Sequence, residues 1–238
     1  MGARVHTKMR VCPSSFRVLT AVLVVALTLG GCGDDAPAGN GVGAKTPAQI
    51  VAAAQLAAAG AATVHVAGSI VNGGKPISLD MELISGKGGQ GRVALDGVSV
   101  ELLAVDRGGY LNGSAAFFRH VLGPVGEQLG GRWLKAPAHR GNFSWIKSLT
   151  SLRDLVAAAL ATHGSLSRAP GKTLAGEPAV AVTDGASGGT LYVAATGDPY
   201  PLELVTPRGT LVFDRWNRPV TLTAPATAVN ISRLQPHR

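Results

Sequence analysis

Strict alternation of apolar and polar residues in the run 76–85 is the feature that most limits how this chain can fold. Its apolar members fall at every second position, at Ile77, Leu79, Met81 and Leu83. Because successive side chains of a β-strand point to opposite faces, the run predicts a strand with one face in a core and the other in water. Residues 62–71 alternate in the same way, and Asn72-Gly73-Gly74 between the two runs predicts a β-hairpin.

Similar runs, separated by Gly, Pro and Asp, recur along the rest of the chain. Strands are predicted at residues 89–97, 98–106, 110–111 and 131–135, and then at 176–184, 188–197, 200–207, 209–216 and 218–225. Helices are predicted at 48–59, 115–122 and 149–162. Runs of strands with helices inserted, and no regular strand–helix alternation, predict an α+β fold with an antiparallel sheet.

The first of these helices has clear sequence signals at its start and on one face. Thr46-Pro47 supplies an N-cap and a proline at the first helical position. Its apolar face is predicted to contain Ile50, Val51, Ala53, Ala54 and Ala57. Such an alanine-rich face can pack closely against a sheet.

The first 31 residues have the features of a secretory signal. Four basic residues precede an apolar run of twelve residues at 18–29, which is shorter than the ~20 residues that a membrane-spanning helix needs. Leu29-Gly30-Gly31-Cys32 follows, and a cysteine directly after Leu-Gly-Gly resembles the pattern read by the bacterial lipoprotein machinery. The resemblance implies that Cys32 is acylated, becomes the first residue of the mature protein and anchors it to the extracytoplasmic side of the cell membrane. An ordinary signal peptide with a chance cysteine nearby is the alternative, and translation can start at Met1 or Met9.

Removal of residues 1–31 changes what the composition implies. The segment holds four of the 22 Lys and Arg and none of the 14 Asp and Glu, so its loss lowers the formal net charge from +8 to +4. The remaining cations are scattered singly, and we expect no nucleic-acid partner. The two cysteines are Cys12 and Cys32, which leaves no disulfide for the mature domain. We expect a flexible tether at 32–45 and a single domain at 46–238.

The C-terminal third resembles that of bacterial envelope lipoproteins of the LppX/LprG type, with LolA and LolB as more distant relatives. The segments that resemble them are Thr173-Leu174-Ala175-Gly176-Glu177-Pro178-Ala179, Leu191-Tyr192-Val193-Ala194 and Thr196-Gly197-Asp198-Pro199-Tyr200-Pro201-Leu202. The resemblance implies an unclosed antiparallel β half-barrel with helices covering its concave face. It also implies a hydrophobic cavity between the two layers that holds acyl chains of lipids or lipoproteins in transit.

This interpretation predicts a monomeric, lipid-binding or lipid-carrying lipoprotein that is not an enzyme. Its ligand is a lipid or another long apolar molecule, it needs no cofactor, and a partner protein in envelope transport is a further expectation. Strand alternation gives the candidates for the cavity lining: Val64, Val66, Ile77, Leu79, Met81, Leu83, Val93, Leu95, Leu102, Trp133, Leu155, Leu191, Val193 and Phe213. The same residues also fit an ordinary filled core, which would make the protein an envelope interaction or scaffold module.

Catalytic motifs are few. Gly185-Ala186-Ser187-Gly188-Gly189 matches the G-x-S-x-G pattern of serine hydrolases, but it falls between two predicted strands, where a glycine-rich hairpin is the simpler interpretation. A small serine hydrolase is therefore the third alternative. Pro170-Gly171-Lys172-Thr173 resembles the end of a phosphate-binding loop, but Leu166 stands where the first glycine is required.

Histidines and tryptophans give weaker signals. The histidines of the mature chain do not have the spacing of metal ligands; they are His65, His120, His139, His163 and His237. Three tryptophans could line a cavity entrance or pack in the core, namely Trp133, Trp145 and Trp216.

Overall fold

The structure is a computed structural model, and it describes residues 39–106, 108–136, 143–186 and 188–231. The predicted signal segment, Cys32, Ser187, His139 and His237 lie outside the described residues.

The described residues form one twelve-stranded sheet that does not close on itself. The strands are Thr63–Asn72 (β1), Lys75–Ile84 (β2), Gly88–Leu95 (β3), Val98–Val105 (β4), Gly108–Gly113 (β5), Trp133–Ala136 (β6), Leu166–Leu174 (β7), Glu177–Asp184 (β8), Gly189–Ala194 (β9), Pro201–Thr206 (β10), Gly209–Asp214 (β11) and Val229–Asn230 (β12). Their order across the sheet is β12-β6-β5-β4-β3-β2-β1-β11-β10-β9-β8-β7. Every neighbouring pair is antiparallel except β12 with β6. The predicted α+β fold with an unclosed antiparallel half-barrel is confirmed.

Within the described ranges, four α-helices accompany the sheet. They are Pro47–Gly60 (α1), Ala115–Leu122 (α2), Trp145–Thr150 (α3) and Leu152–Ala159 (α4), and two short 3-10 segments occur at Val42–Ala44 and Pro124–Leu129.

Helix α1 begins as its sequence predicts. The Thr46 hydroxyl accepts a hydrogen bond from the Gln49 backbone N–H at 3.3 Å, and the Gln49 side chain accepts one from the Thr46 N–H at 3.0 Å. This reciprocal pair satisfies two donors that a helix start leaves open. The fully buried face contains Ile50, Val51, Ala54 and Ala58, whereas Ala53 and Ala57 are half-buried.

The predicted helix at 149–162 is instead two helices, because Ser151 interrupts it. Ser151 has an extended backbone conformation, and its hydroxyl accepts a hydrogen bond from the Asp154 backbone N–H at 3.2 Å. Serine favours this capping position over a helix interior, so α3 ends at Thr150 and α4 begins anew.

Two strand predictions also differ from the structure. Residues 218–225 are not a strand; Thr223 and Pro225 lie over the outer face of the sheet, near Asp80 and Arg92. In contrast, the sequence does not predict β7, because Pro170 and Gly171 interrupt the alternation of apolar and polar residues there. Its pairing with β8 shifts register between Ala169 and Lys172, which accommodates this dipeptide at the edge of the sheet.

The last part of the predicted tether, residues 39–45, packs against the domain. Gly39 forms a bridge with Thr196, and the Asn40 side-chain amide donates hydrogen bonds to the carbonyl oxygens of Ala194 and Gly197 at 3.0 and 3.1 Å. Val42 is buried in the core. Residues 39–45 are therefore packed on the domain that follows them.

One half of the concave face is filled. Helix α3 packs on β3 and β4, and α2 packs on β4. The side chains between these layers are almost fully buried, and they include Met81, Leu83, Leu102, Phe118 and Ile146.

Candidate ligand-binding cavity

A cavity of about 770 Å³ lies on the other half of the concave face. Its floor is formed by β8, β9, β10 and β11, by the start of β7 and by the adjoining parts of β1 and β2. Its roof is formed by α4, with Val51 of α1 and the last turn of α3 at Ser148 and Leu149. The apolar lining is Val51, Ile70, Leu79, Leu149, Leu155, Ala158, Ala159, Leu160, Leu166, Val182, Leu191, Leu204 and Leu211. The volume is within the range of about 300–1,000 Å³ that is typical of pockets for small molecules.

Helix α4 takes up little of the space beneath it, because it has only eight residues and its last turn presents small side chains to the cavity. Leu152, Leu155 and Val156 anchor α4 in the core. Ala158 and Ala159, one turn further on, line the cavity and fill little of it. Helix α1 packs on β7, β8, β9 and β10, so the cavity is the part of this half that α1 and α4 leave unfilled.

The mouth of the cavity is marked by the lining residues that are exposed to solvent. On the helix side these are Ser148, Asp154, Ala158, Ala161, Thr162 and His163. On the sheet side they are Val71, at the end of β1, Ala186, after β8, and Pro207 and Arg208, in the turn between β10 and β11. The mouth thus lies where several hairpin turns of the half-barrel meet the segment that follows α4.

Asp184 holds two segments of this mouth together. One carboxylate oxygen accepts a hydrogen bond from the His163 backbone N–H at 2.7 Å, and the other accepts one from the Ala186 N–H at 3.0 Å. The side chain is buried, so these bonds form where water competes little. They fix the segment after α4 to the end of β8.

A second connection joins the two hairpins on the sheet side. The Val71 backbone N–H donates a hydrogen bond to the Arg208 carbonyl oxygen at 2.7 Å. The Arg208 N–H in turn donates to the Thr206 hydroxyl at 3.1 Å. The backbone of the β10–β11 turn is therefore fixed beside the end of β1.

The fourteen residues proposed from alternation fall into four groups. Leu79, Leu155 and Leu191 line the cavity. Eight are almost fully buried in the core and do not line it: Val64, Val66, Met81, Leu83, Val93, Leu102, Val193 and Phe213. Ile77 and Leu95 are half-buried against that core. Trp133 lines a different, polar groove of about 630 Å³ on the outer face, with Arg92 and Glu101.

The other two tryptophans are also away from the mouth. Trp216 stacks on Tyr200 with 4.6 Å between ring centroids, and its indole N–H donates a hydrogen bond to the Pro201 carbonyl at 3.1 Å. Trp145 is half-buried against the core. Packing, and not a place at the cavity entrance, therefore accounts for both side chains.

His65 contacts two carboxylates that lie far from it in the sequence. On the outer face its Nδ1 lies 2.5 Å from Asp214 Oδ1, and its Nε2 lies 3.0 Å from Asp80 Oδ1. Strands β11 and β2 bring these carboxylates in from distant sequence positions. Over the described part of the chain, no group of three or more His, Cys, Asp or Glu side chains is arranged to hold a metal ion.

The G-x-S-x-G sequence lies in the connection between two strands, since β8 ends at Asp184 and β9 begins at Gly189. A nucleophile elbow needs a strand followed by a helix, and that context is not found here.

Elsewhere on β8, burial raises the pKa of the Glu177 carboxyl above its ordinary value.

The N-terminal segment is fixed at the end of the half-barrel opposite the mouth. Gly39 and Asn40 contact residues 194–197, just after β9, whereas the mouth is near Gly189, where β9 begins. At about 3.3 Å per residue, the six residues of β9 separate the two by roughly 20 Å.

Solved structures with a similar fold include LprF from Mycobacterium bovis, at 17% sequence identity and a TM-score of 0.55. The alignment covers 77% of this chain and all of LprF. The chain has the fold of LprF. The resemblance in the C-terminal segments implies a half-barrel of the LppX/LprG type, and the likeness to LprF confirms that fold. No protein-family model matches the sequence, and no curated protein matches it.

Two further structures are similar at a lower level than LprF. The complex of MucA and MucB from Pseudomonas aeruginosa matches at 16% identity and a TM-score of 0.35, covering 80% of this chain and 61% of that one. A LolA superfamily protein from Nitrosomonas europaea matches at 7% identity and a TM-score of 0.24, covering 72% of this chain and 93% of that one.

Within the segments that the structure describes, none of the helices has the length and apolar character needed to cross a membrane.

Proposed function

We propose that this protein is a non-enzymatic envelope lipoprotein that binds an acyl chain of a lipid in the cavity beneath α4. The observation that carries the proposal is the cavity of about 770 Å³ with an aliphatic lining. A scaffold module would need only a filled core, such as the one between α3 and the strands β3 and β4. The presence of the cavity therefore favours a ligand-binding protein over a scaffold module.

The physical requirement for carrying an acyl chain is a dry apolar volume. Moving a sixteen-carbon chain from a membrane into water costs on the order of 12 kcal/mol, at about 0.8 kcal/mol per methylene. The walls of leucine, isoleucine, valine and alanine offset that cost by removing the chain from water again. Polar contacts contribute little inside such a cavity, so the lining favours chain length and apolar character over detailed chemistry.

Membrane attachment through acylated Cys32 is part of the same proposal. It is supported by the basic segment, the apolar run and the Leu-Gly-Gly-Cys sequence. Such an anchor would hold the protein at the extracytoplasmic surface of the cell membrane.

Native mass spectrometry of the full chain, purified from a bacterial envelope, tests the proposal. We expect a co-purifying molecule with the mass of a lipid. Ala158→Trp should remove it, because the indole would occupy the cavity. Ala157→Trp, one residue earlier on the exposed side of α4, is the matched control and should retain it.

Absence of bound lipid, together with no binding of oleyl alcohol by the purified protein, would contradict the proposal. Equal lipid retention by the two tryptophan variants would show that the ligand lies elsewhere. Hydrolysis of a p-nitrophenyl ester that is abolished by Ser187→Ala would instead support the hydrolase interpretation.

A further inference from the structure

Arg208 is the only lysine or arginine that lines the cavity, among the residues that the structure describes. It lies on the exposed turn between β10 and β11, at the mouth. Its backbone is held by hydrogen bonds with Val71 and Thr206. No described side chain forms an ion pair with its guanidinium, in contrast to Arg92, which pairs with Glu101 at 2.9 Å.

The two carboxylates of the lining do not neutralise Arg208. Asp184 points its oxygens at the backbone N–H groups of His163 and Ala186. Asp154 is in the first turn of α4, where the partial positive charge of the helix N-terminus stabilises a carboxylate. Asp154 is not in an ion pair with Arg208.

We propose that Arg208 binds the anionic headgroup, a carboxylate or a phosphate, of the lipid whose acyl chain occupies the cavity. The assignment rests on the proposed lipid-binding function. A charged headgroup stays at the mouth, because burying it in the aliphatic interior would remove its hydration. The guanidinium presents a planar set of donors that matches carboxylate and phosphate oxygens in a bidentate arrangement.

The expected effect is modest because the mouth is open to water. Exposed ion pairs contribute about 0.2–1 kcal/mol, so loss of Arg208 should weaken binding of an anionic lipid by about fivefold or less. Added salt should reduce the difference, because it screens exposed charges. Asp154 faces the same opening with a negative charge, and its removal should act in the opposite direction.

The experiment compares oleate with oleyl alcohol, which has the same chain without the charge, at pH 8. Wild-type protein should bind oleate more tightly. Arg208→Gln should weaken oleate binding by up to about fivefold and leave oleyl alcohol binding unchanged, and Arg208→Lys should restore part of the loss. Asp154→Asn should strengthen oleate binding. Arg218→Gln, an exposed arginine outside the cavity, is the matched control and should change neither.

A test with inorganic phosphate alone distinguishes a binding site for free anions from a binding site for a lipid headgroup. It should not displace oleyl alcohol, and it should compete with oleate only through ionic strength, as chloride does. Specific tight binding of phosphate would overturn the headgroup assignment in favour of an anion site. Equal effects of Arg208→Gln on both ligands, or no effect on either, would also overturn it while the lipid-binding function stands. Wild-type protein that binds neither ligand would overturn both.

Discussion

The carboxylate of Asp184 accepts a hydrogen bond from the His163 backbone N–H at 2.7 Å, which ties the segment after α4 to the end of β8. Asp184 is 7% exposed and lies in the cavity wall. Because α4 forms part of the cavity roof, this bond helps to hold the roof in place. Its loss would leave the His163 and Ala186 N–H groups without their carboxylate acceptor.

Asp184→Ala should lower the free energy of unfolding by about 1–3 kcal/mol, the usual result of leaving buried polar groups unsatisfied. Urea unfolding followed by fluorescence measures the change. Asp198→Ala, an exposed aspartate after β9, is the matched control and should cost less than about 0.5 kcal/mol. Equal losses in the two variants would mean that the bonds of Asp184 do not stabilise the mouth.

The filled and hollow halves of the sheet should respond differently to truncation. Leu102→Ala, in the filled half, should cost about 3–5 kcal/mol because it creates a void among packed side chains. Leu191→Ala, in the cavity wall, should cost about 2 kcal/mol or less, because its side chain already faces empty space on one side. Denaturant midpoints of the ligand-free variants provide the comparison, and identical costs would contradict a hollow second half.

Stability should depend on pH through Glu177. Burial raises the pKa of this carboxyl above its ordinary value of 4.5, so the ionised form is less favourable in the folded state than in the unfolded state. Stability is therefore lost as pH rises from 4.5 through the raised pKa, and the loss persists at higher pH. Glu177→Gln should raise the melting temperature at pH 7 and leave it nearly unchanged at pH 4. A stabilisation that is the same at both pH values would argue against this cause.

Cys32→Ser should prevent acylation and leave the protein soluble or unprocessed. Cell fractionation and the intact mass of the protein would report the change. Cys12→Ser is the matched control because this cysteine lies within the predicted signal segment, and it should leave anchoring and processing intact. Membrane attachment that survives Cys32→Ser would refute the anchor.

The anchored protein should hold its mouth away from the membrane. Gly39 lies seven positions after Cys32, and the chain between them can span at most about 25 Å. A fluorophore on Asp198→Cys, near the fixed N-terminal segment, should be quenched by lipid-attached quenchers more strongly than one on Ala186→Cys at the mouth. The reverse order would mean that the domain turns its mouth toward its own membrane.

Alternation of residues correctly placed most of the cavity candidates on the inner face but did not separate core from cavity. Met81 and Leu79 have the same periodicity on β2, yet Met81 is fully buried in the core and Leu79 borders the empty volume. Trp133 follows the same strand pattern and lies in the groove on the outer face.

The sequence by itself determined most of the strands, their inner face, the N-cap of α1 and the class of fold, because these depend on local periodicity and turn chemistry. The tertiary structure alone decided where the cavity lies, since that depends on how far each helix reaches across the sheet. Ser151 ends α3 and starts the short, alanine-rich α4, which lies over the cavity without filling it. Long-range pairing likewise brought Arg208 beside Val71 and Asp184 beside His163, and so assembled a mouth from segments that are far apart in the chain.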